Sequence, residues 1–134
     1  MDGRGREGSN PLLERTKSFA LRIIRLCRSI PEGRVEKMIA LQLMRCGTLV
    51  GANYRAACRA RSAAEFRSKL GIVEEETDES IYWMELIIDS GIIPQERLCD
   101  LLNEANEILS MVVASIRTSR NRSDKSLLRR NQKP

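Results

Sequence analysis

Between Gly51 and Leu70 the chain reads GANYRAACRARSAAEFRSKL, and Arg55, Arg59, Arg61, Arg67 and Lys69 are opposed there by one acid, Glu65. Guanidinium groups hold phosphate oxygens through paired N–H donors, so this cluster reads as a surface for a polyanion. Arg15, Arg22, Arg25 and Arg28 extend the set upstream, with Arg15 and Arg22 seven apart and therefore on one helix face. These nine are the candidate nucleic-acid-binding residues, with RNA or DNA as the ligand. Binding built on them should weaken steeply with salt. The chain has only five aromatic residues, Phe19, Tyr54, Phe66, Tyr82 and Trp83, and no recognised DNA-binding motif, which predicts weak sequence specificity.

Other chemistries find less support. Histidine is absent, which removes the commonest general base, the Ser-His and Cys-His pairs and histidine-ligated zinc. Glu74, Glu75, Glu76, Asp78 and Glu79 crowd one stretch and are the type of ligand that hard cations take. They fan around a helix, however, so a solvated acidic face competes with a carboxylate–metal enzyme, and the latter is the remote alternative. Cys27, Cys46, Cys58 and Cys99 lack C-x-x-C spacing and read as buried free thiols. The expectation is a non-enzyme with no catalytic residue, no cofactor and no metal.

The charge is unevenly distributed. Residues 15–69 carry thirteen Lys/Arg against three acids, and residues 70–116 carry one Arg against eleven acids. Residues 117–134 return to seven Lys/Arg against one acid. The basic and acidic halves could therefore pair within one chain or between neighbouring subunits. A purely structural, assembly role for the charges is the main alternative to a nucleic-acid role.

Positioning these residues requires helices. The first runs from about Pro11 to Ser29, with Asn10 as N-cap and Pro11 at the first helical position. The second runs from about Arg34 to Ala60. Its Gly47 and Gly51 share a face, as if a neighbouring backbone passed close, and Asn53 reads as a buried interhelical hydrogen bond. The third begins at Ser62, whose SAAE sequence fits a capping box, and ends before Gly91. Its Tyr82 and Trp83 read as cover for the core or for a subunit contact. The fourth runs from about Pro94 to Ser119. No stretch alternates as a strand does.

The fold class is therefore all-α, an antiparallel up-and-down four-helix bundle over residues 10–119. Residues 1–9 read as a flexible N-terminus and residues 120–134 as a basic, disordered tail. No apolar run is long enough for a membrane span and no signal segment opens the chain, so it is expected to be cytoplasmic, with no membrane partner.

Asn53, Ala56, Ala57, Arg59, Arg61, Ser62, Glu65, Phe66 and Leu70, followed by EEETDESIYWMELIIDSGII, resemble the recurrent core of a bacterial family. Its members are four-helix-bundle proteins first noticed as products of intervening sequences in large-subunit ribosomal RNA genes. The accessory protein of diversity-generating retroelements is similar. The resemblance covers roughly Asn10 to Ser119. It implies a helical bundle, a homo-oligomeric ring that is a pentamer, and no established enzymatic activity. For the retroelement branch it implies binding of nucleic acid and of a reverse transcriptase. Many relatives carry a Glu where this chain has Ala56, so no role of that acid carries over.

Overall fold

The computed structural model describes residues 10–132, so the reading of residues 1–9 lies outside the described residues. Four helices account for most of the chain: α1 (Pro11–Ser29), α2 (Arg34–Cys58), α3 (Ala63–Asp89) and α4 (Cys99–Gln132), with a 3-10 turn at Gln95–Arg97. Among the described residues there is no strand.

Local chemistry sets most of the helix ends. Asn10 Oδ1 accepts from the Leu12 N–H at 3.0 Å, and Pro11 needs no partner for an N–H it lacks. Ser62 Oγ accepts from the Glu65 N–H at 3.0 Å, which forms one half of the expected capping box; the return bond from the Glu65 side chain is not made. At the end of α3, Gly91 takes φ 78°, and its N–H and that of Ile92 reach back to the carbonyls of Ile88 and Ile87, both at 3.0 Å. This left-handed turn favours glycine because a Cβ would crowd the backbone. Pro94 opens the 3-10 turn and α4 follows at Cys99, a few residues later than expected. Ile93 and Leu98, both buried, pin the connection from either side.

Consecutive helices pack antiparallel, α1 on α2, α2 on α3 and α3 on α4, and α4 closes back on α1 over a smaller contact. Phe19, Ile23, Leu43, Leu70, Met84 and Ile108 are among the side chains sealed between them. The buried hydroxyls are satisfied within their own helices: Thr16 donates to the Leu12 carbonyl at 2.7 Å, Thr77 to Val73 at 2.7 Å and Ser80 to Glu76 at 2.8 Å.

The paired glycines mark the closest helix contact. A Cβ on Gly47 would lie 2.8 Å from two carbons of Ile23, and one on Gly51 would lie 3.2 Å from the Thr16 carbonyl oxygen. The backbone that passes close is α1 of the same chain. Asn53 does not bridge helices. Its Nδ2 donates to the Leu49 carbonyl at 2.9 Å one turn back, and it is half-buried.

The largest departure from the sequence reading is the C-terminus. Residues 120–132, read as a disordered tail, continue α4 as helix. Arg67 of α3 fastens the start of this extension, donating to the Ser119 carbonyl, Ser119 Oγ and Ser123 Oγ at 3.3, 3.2 and 2.8 Å. Composition argues disorder for a segment that must nucleate its own helix. Here the helix is already nucleated and propagates through residues such as Arg122, Lys125, Leu127 and Arg129, all good helix formers.

Candidate nucleic-acid interface

The basic cluster is built where α2 ends and α3 begins. Tyr54 and Ala57 turn inward on α2, so Arg55 and Arg59, four residues apart, turn outward together. Across the short connection, Arg61 and then Lys69, two turns into α3, complete a cleft of about 430 Å³ floored by Ala52 and Ala56. Among the described residues, Glu65 is the only acid on its rim. On the other side of Arg55 and Arg59 lies a second cleft of about 450 Å³, bounded by Leu13, Glu14, Lys17 and Cys58. The two arginines are thus a ridge between two concavities. Lys17 joins the surface although nothing in its sequence context singles it out, since its closeness depends on how α1 packs on α2.

Asn10 holds this end together. Besides capping α1, its Oδ1 accepts from the Tyr54 hydroxyl at 3.0 Å, and its Nδ2 points to Cys58 Sγ at 3.6 Å. Burial pushes the Tyr54 hydroxyl up to about 12, so it remains a neutral donor to Asn10. One side chain therefore ties the start of α1 to the end of α2, beside the cleft that Lys17 shares with Arg55 and Arg59.

The nine sequence-derived candidates separate into distinct environments. Arg15 spends its donors inside the molecule: Nε and Nη2 donate to Glu104 at 3.0 and 2.6 Å, and Nη2 also reaches Glu107 at 2.9 Å. This is the only side-chain ion-pair network among the described residues that ties α1 to α4. The Arg15 hydrogen bond, with the nearby charges of Arg15 and Arg22, holds the Glu104 carboxyl below the usual carboxylate range. Arg67 is committed to the serines of α4 as described. Arg22 is half-buried and its charge acts on Glu104, while Arg25 and Arg28 are exposed but lie near the C-terminal end of α1; Arg28 is eleven residues beyond Lys17, roughly 16 Å along the helix. Arg55, Arg59, Arg61 and Lys69 are brought together and make no ion pair among the described residues.

Other expected features resolve differently. Cys46 is buried and Cys27 half-buried, and burial pushes the Cys27 thiol up to about 11. Cys58 and Cys99 are exposed, contrary to the expectation of four buried thiols, because they sit at the last position of α2 and the first of α4. Trp83 packs against the core and donates its indole N–H to Glu79 at 3.3 Å, while Tyr82 meets it edge-on and is 55% exposed. Of the acidic stretch, Glu79 receives Arg45 at 3.4 Å, and Glu76 carries a buried Oε1 without a partner; burial and the neighbouring Glu79 push its carboxyl up. Among the described residues no three carboxylates or thiols converge as a cation site, and no helix is long and apolar enough to cross a membrane.

An all-helical up-and-down bundle with a basic surface at one end is the class of protein that this fold and this surface define. The family model of the 23S rRNA-intervening sequence protein matches residues 10–114, and the chain belongs to that family. The fold is similar to the crystal structure of a protein of unknown function from the S23 ribosomal protein family of Bacteroides thetaiotaomicron. The two share 33% identity with a TM-score of 0.74, over 78% of this chain and 97% of that one. Comparison with curated protein sequences gives no match. The family model stops short of the α4 extension, and it covers α1 to α3, the first half of α4 and the basic junction.

Proposed function

We propose that this chain is a non-enzymatic, oligomeric bundle protein whose α2–α3 end binds the phosphate backbone of RNA or DNA with little sequence preference. One observation carries the reading. Basic residues that have acids within reach, Arg15 and Arg45, are paired with them, whereas Arg55, Arg59, Arg61 and Lys69 crowd one cleft with a single acid on its rim. Holding like charges together costs free energy, and a polyanion recovers it. The retroelement branch of the resemblance would add a reverse transcriptase as a partner on the same nucleic acid, in the cytoplasm. The test is fluorescence anisotropy with labelled RNA and DNA at low salt. Affinity that falls steeply with added KCl, and that is lost when Arg55, Arg59 and Arg61 are changed to Glu, supports the reading. No binding at micromolar protein rejects it.

A second reading, assembly, draws on a different surface. Leu21, Val35, Met38 and Leu41 are each about half-exposed or more, all on α1 and α2. Apolar side chains left on helix exteriors favour contact with another subunit, in line with the homo-oligomeric ring, a pentamer, that the resemblance implies. Light scattering that returns a monomer mass removes this reading.

A further inference from the structure

The helical extension of α4 carries charge that the junction does not account for. Arg120, Arg122, Lys125, Arg129 and Arg130 are all exposed, and Asp124 is the one acid among residues 120–132. Arg122, Lys125 and Arg129 stand at i, i+3 and i+7, so they share one helix face and span roughly 10 Å. None of them has an ion-pair partner among the described residues.

The extension is also placed beside the junction. A groove of about 750 Å³ runs between them, with Ala57, Cys58 and Phe66 on one side and Ser119, Arg122 and Ser126 on the other. Cys58 borders this groove and also the cleft that holds Lys17, Arg55 and Arg59, so the two basic surfaces are continuous around it. The Arg67 hydrogen bonds to Ser119 and Ser123 hold the extension at this angle.

We infer that the extension is a second arm of the nucleic-acid surface, in which Arg122, Lys125 and Arg129 take phosphates of a duplex segment whose neighbouring phosphates lie on Arg55, Arg59 and Arg61. This rests on the nucleic-acid reading of the junction. A duplex fits better than a single strand because this end lacks a stacking platform: Tyr54 is buried, Phe66 is packed against the core, and exposed Tyr82 lies nineteen residues into α3. A membrane surface fits poorly, because the extension exposes only Leu127 and Leu128 as apolar residues and lacks the sustained apolar stripe an interfacial helix needs.

The test uses the full chain and three proteins: unaltered, Arg122→Gln/Lys125→Gln/Arg129→Gln, and Arg55→Gln/Arg59→Gln/Arg61→Gln. The probes are a labelled mixed-sequence RNA duplex of 24 base pairs and one of its strands, titrated across a series of KCl concentrations, with circular dichroism to check that each variant is folded. Losing three phosphate contacts should lower the slope of log affinity against log salt by roughly 2 to 3 for the duplex. The arm variant should show that drop with weaker duplex binding, and the unaltered protein should prefer the duplex to the strand. If the arm variant keeps the unaltered affinity and slope while the junction variant loses both, the arm is refuted and the junction reading stands. If the unaltered protein binds neither probe, both fall.

Discussion

Asn10 carries more of this structure than its place at the end of a helix suggests. Its role as cap is legible in the sequence, because an Asn before Pro11 and an apolar stripe leaves few alternatives. Its hold on Tyr54 is not legible, because 44 residues separate the two and only the packing of α1 on α2 brings them together. Asn10→Ala removes both interactions and leaves the Tyr54 hydroxyl without its acceptor. A loss of roughly 1 to 3 kcal/mol is expected in urea unfolding, more than a cap alone would give. Arg15 allows a second test at this scale. Glu104 is held below its ordinary value in the folded protein, so the stability it contributes is present above the unfolded value, about 4.3, and is lost as pH falls through the folded value. Glu76 is shifted in the opposite sense, so the informative quantity is a difference between proteins. Between pH 7 and pH 3 the unaltered protein should lose more stability than Arg15→Gln. Equal losses would mean that the pair contributes nothing.

At the scale of the helices, hydrophobic period and end signals were enough to place all four, since each apolar stripe answers to one core. The helical state of residues 120–132 was not legible, because a polar, basic composition says nothing of whether a helix is already running into it. Glycines show the same division. Gly47 and Gly51 announce a close approach through their four-residue spacing, but only the structure names Ile23 and Thr16 as the neighbours. Gly71 sits inside α3 with nothing within 4 Å of an added Cβ. The two sites should respond with opposite signs. Gly71→Ala should stabilise by about 0.5 to 1 kcal/mol, the helix preference of alanine alone. Gly47→Ala gains the same preference but drives a methyl into fully buried Ile23, and overpacking of this type costs roughly 1 to 3 kcal/mol. Thermal unfolding of both variants should therefore move the midpoint up for Gly71→Ala and down for Gly47→Ala.

For the molecule as a whole, the basic first half and acidic second half are plain in the sequence, but which charges cancel is not. Arg15 finds Glu104 across 89 residues, whereas Arg55 makes no ion pair among the described residues, and nothing local to either arginine distinguishes them. The same ambiguity extends to the floor of the basic cleft. Ala56 lies between Arg55, Arg59, Arg61 and Lys69, so Ala56→Glu would set a carboxylate among them. That position is half-buried on the outer side of α2, where a longer side chain can project into the cleft without entering the core. The variant should keep its thermal midpoint or gain slightly, because the new charge relieves like-charge repulsion. Its affinity for duplex RNA at fixed salt should drop by roughly tenfold, as an added carboxylate both neutralises one arginine and repels phosphate. Assembly gives the contrast. Leu21 and Leu41 are exposed on α1 and α2, away from the cleft, so if the assembly reading holds, Leu21→Asp/Leu41→Asp should lower the mass seen by light scattering. Binding per chain would then persist, but apparent affinity for long duplexes should fall by about 100-fold or more as the linked sites separate. If Ala56→Glu leaves binding intact while the leucine pair abolishes it even on short duplexes, binding depends on assembly and the α2–α3 end of a single chain is not the phosphate-binding surface.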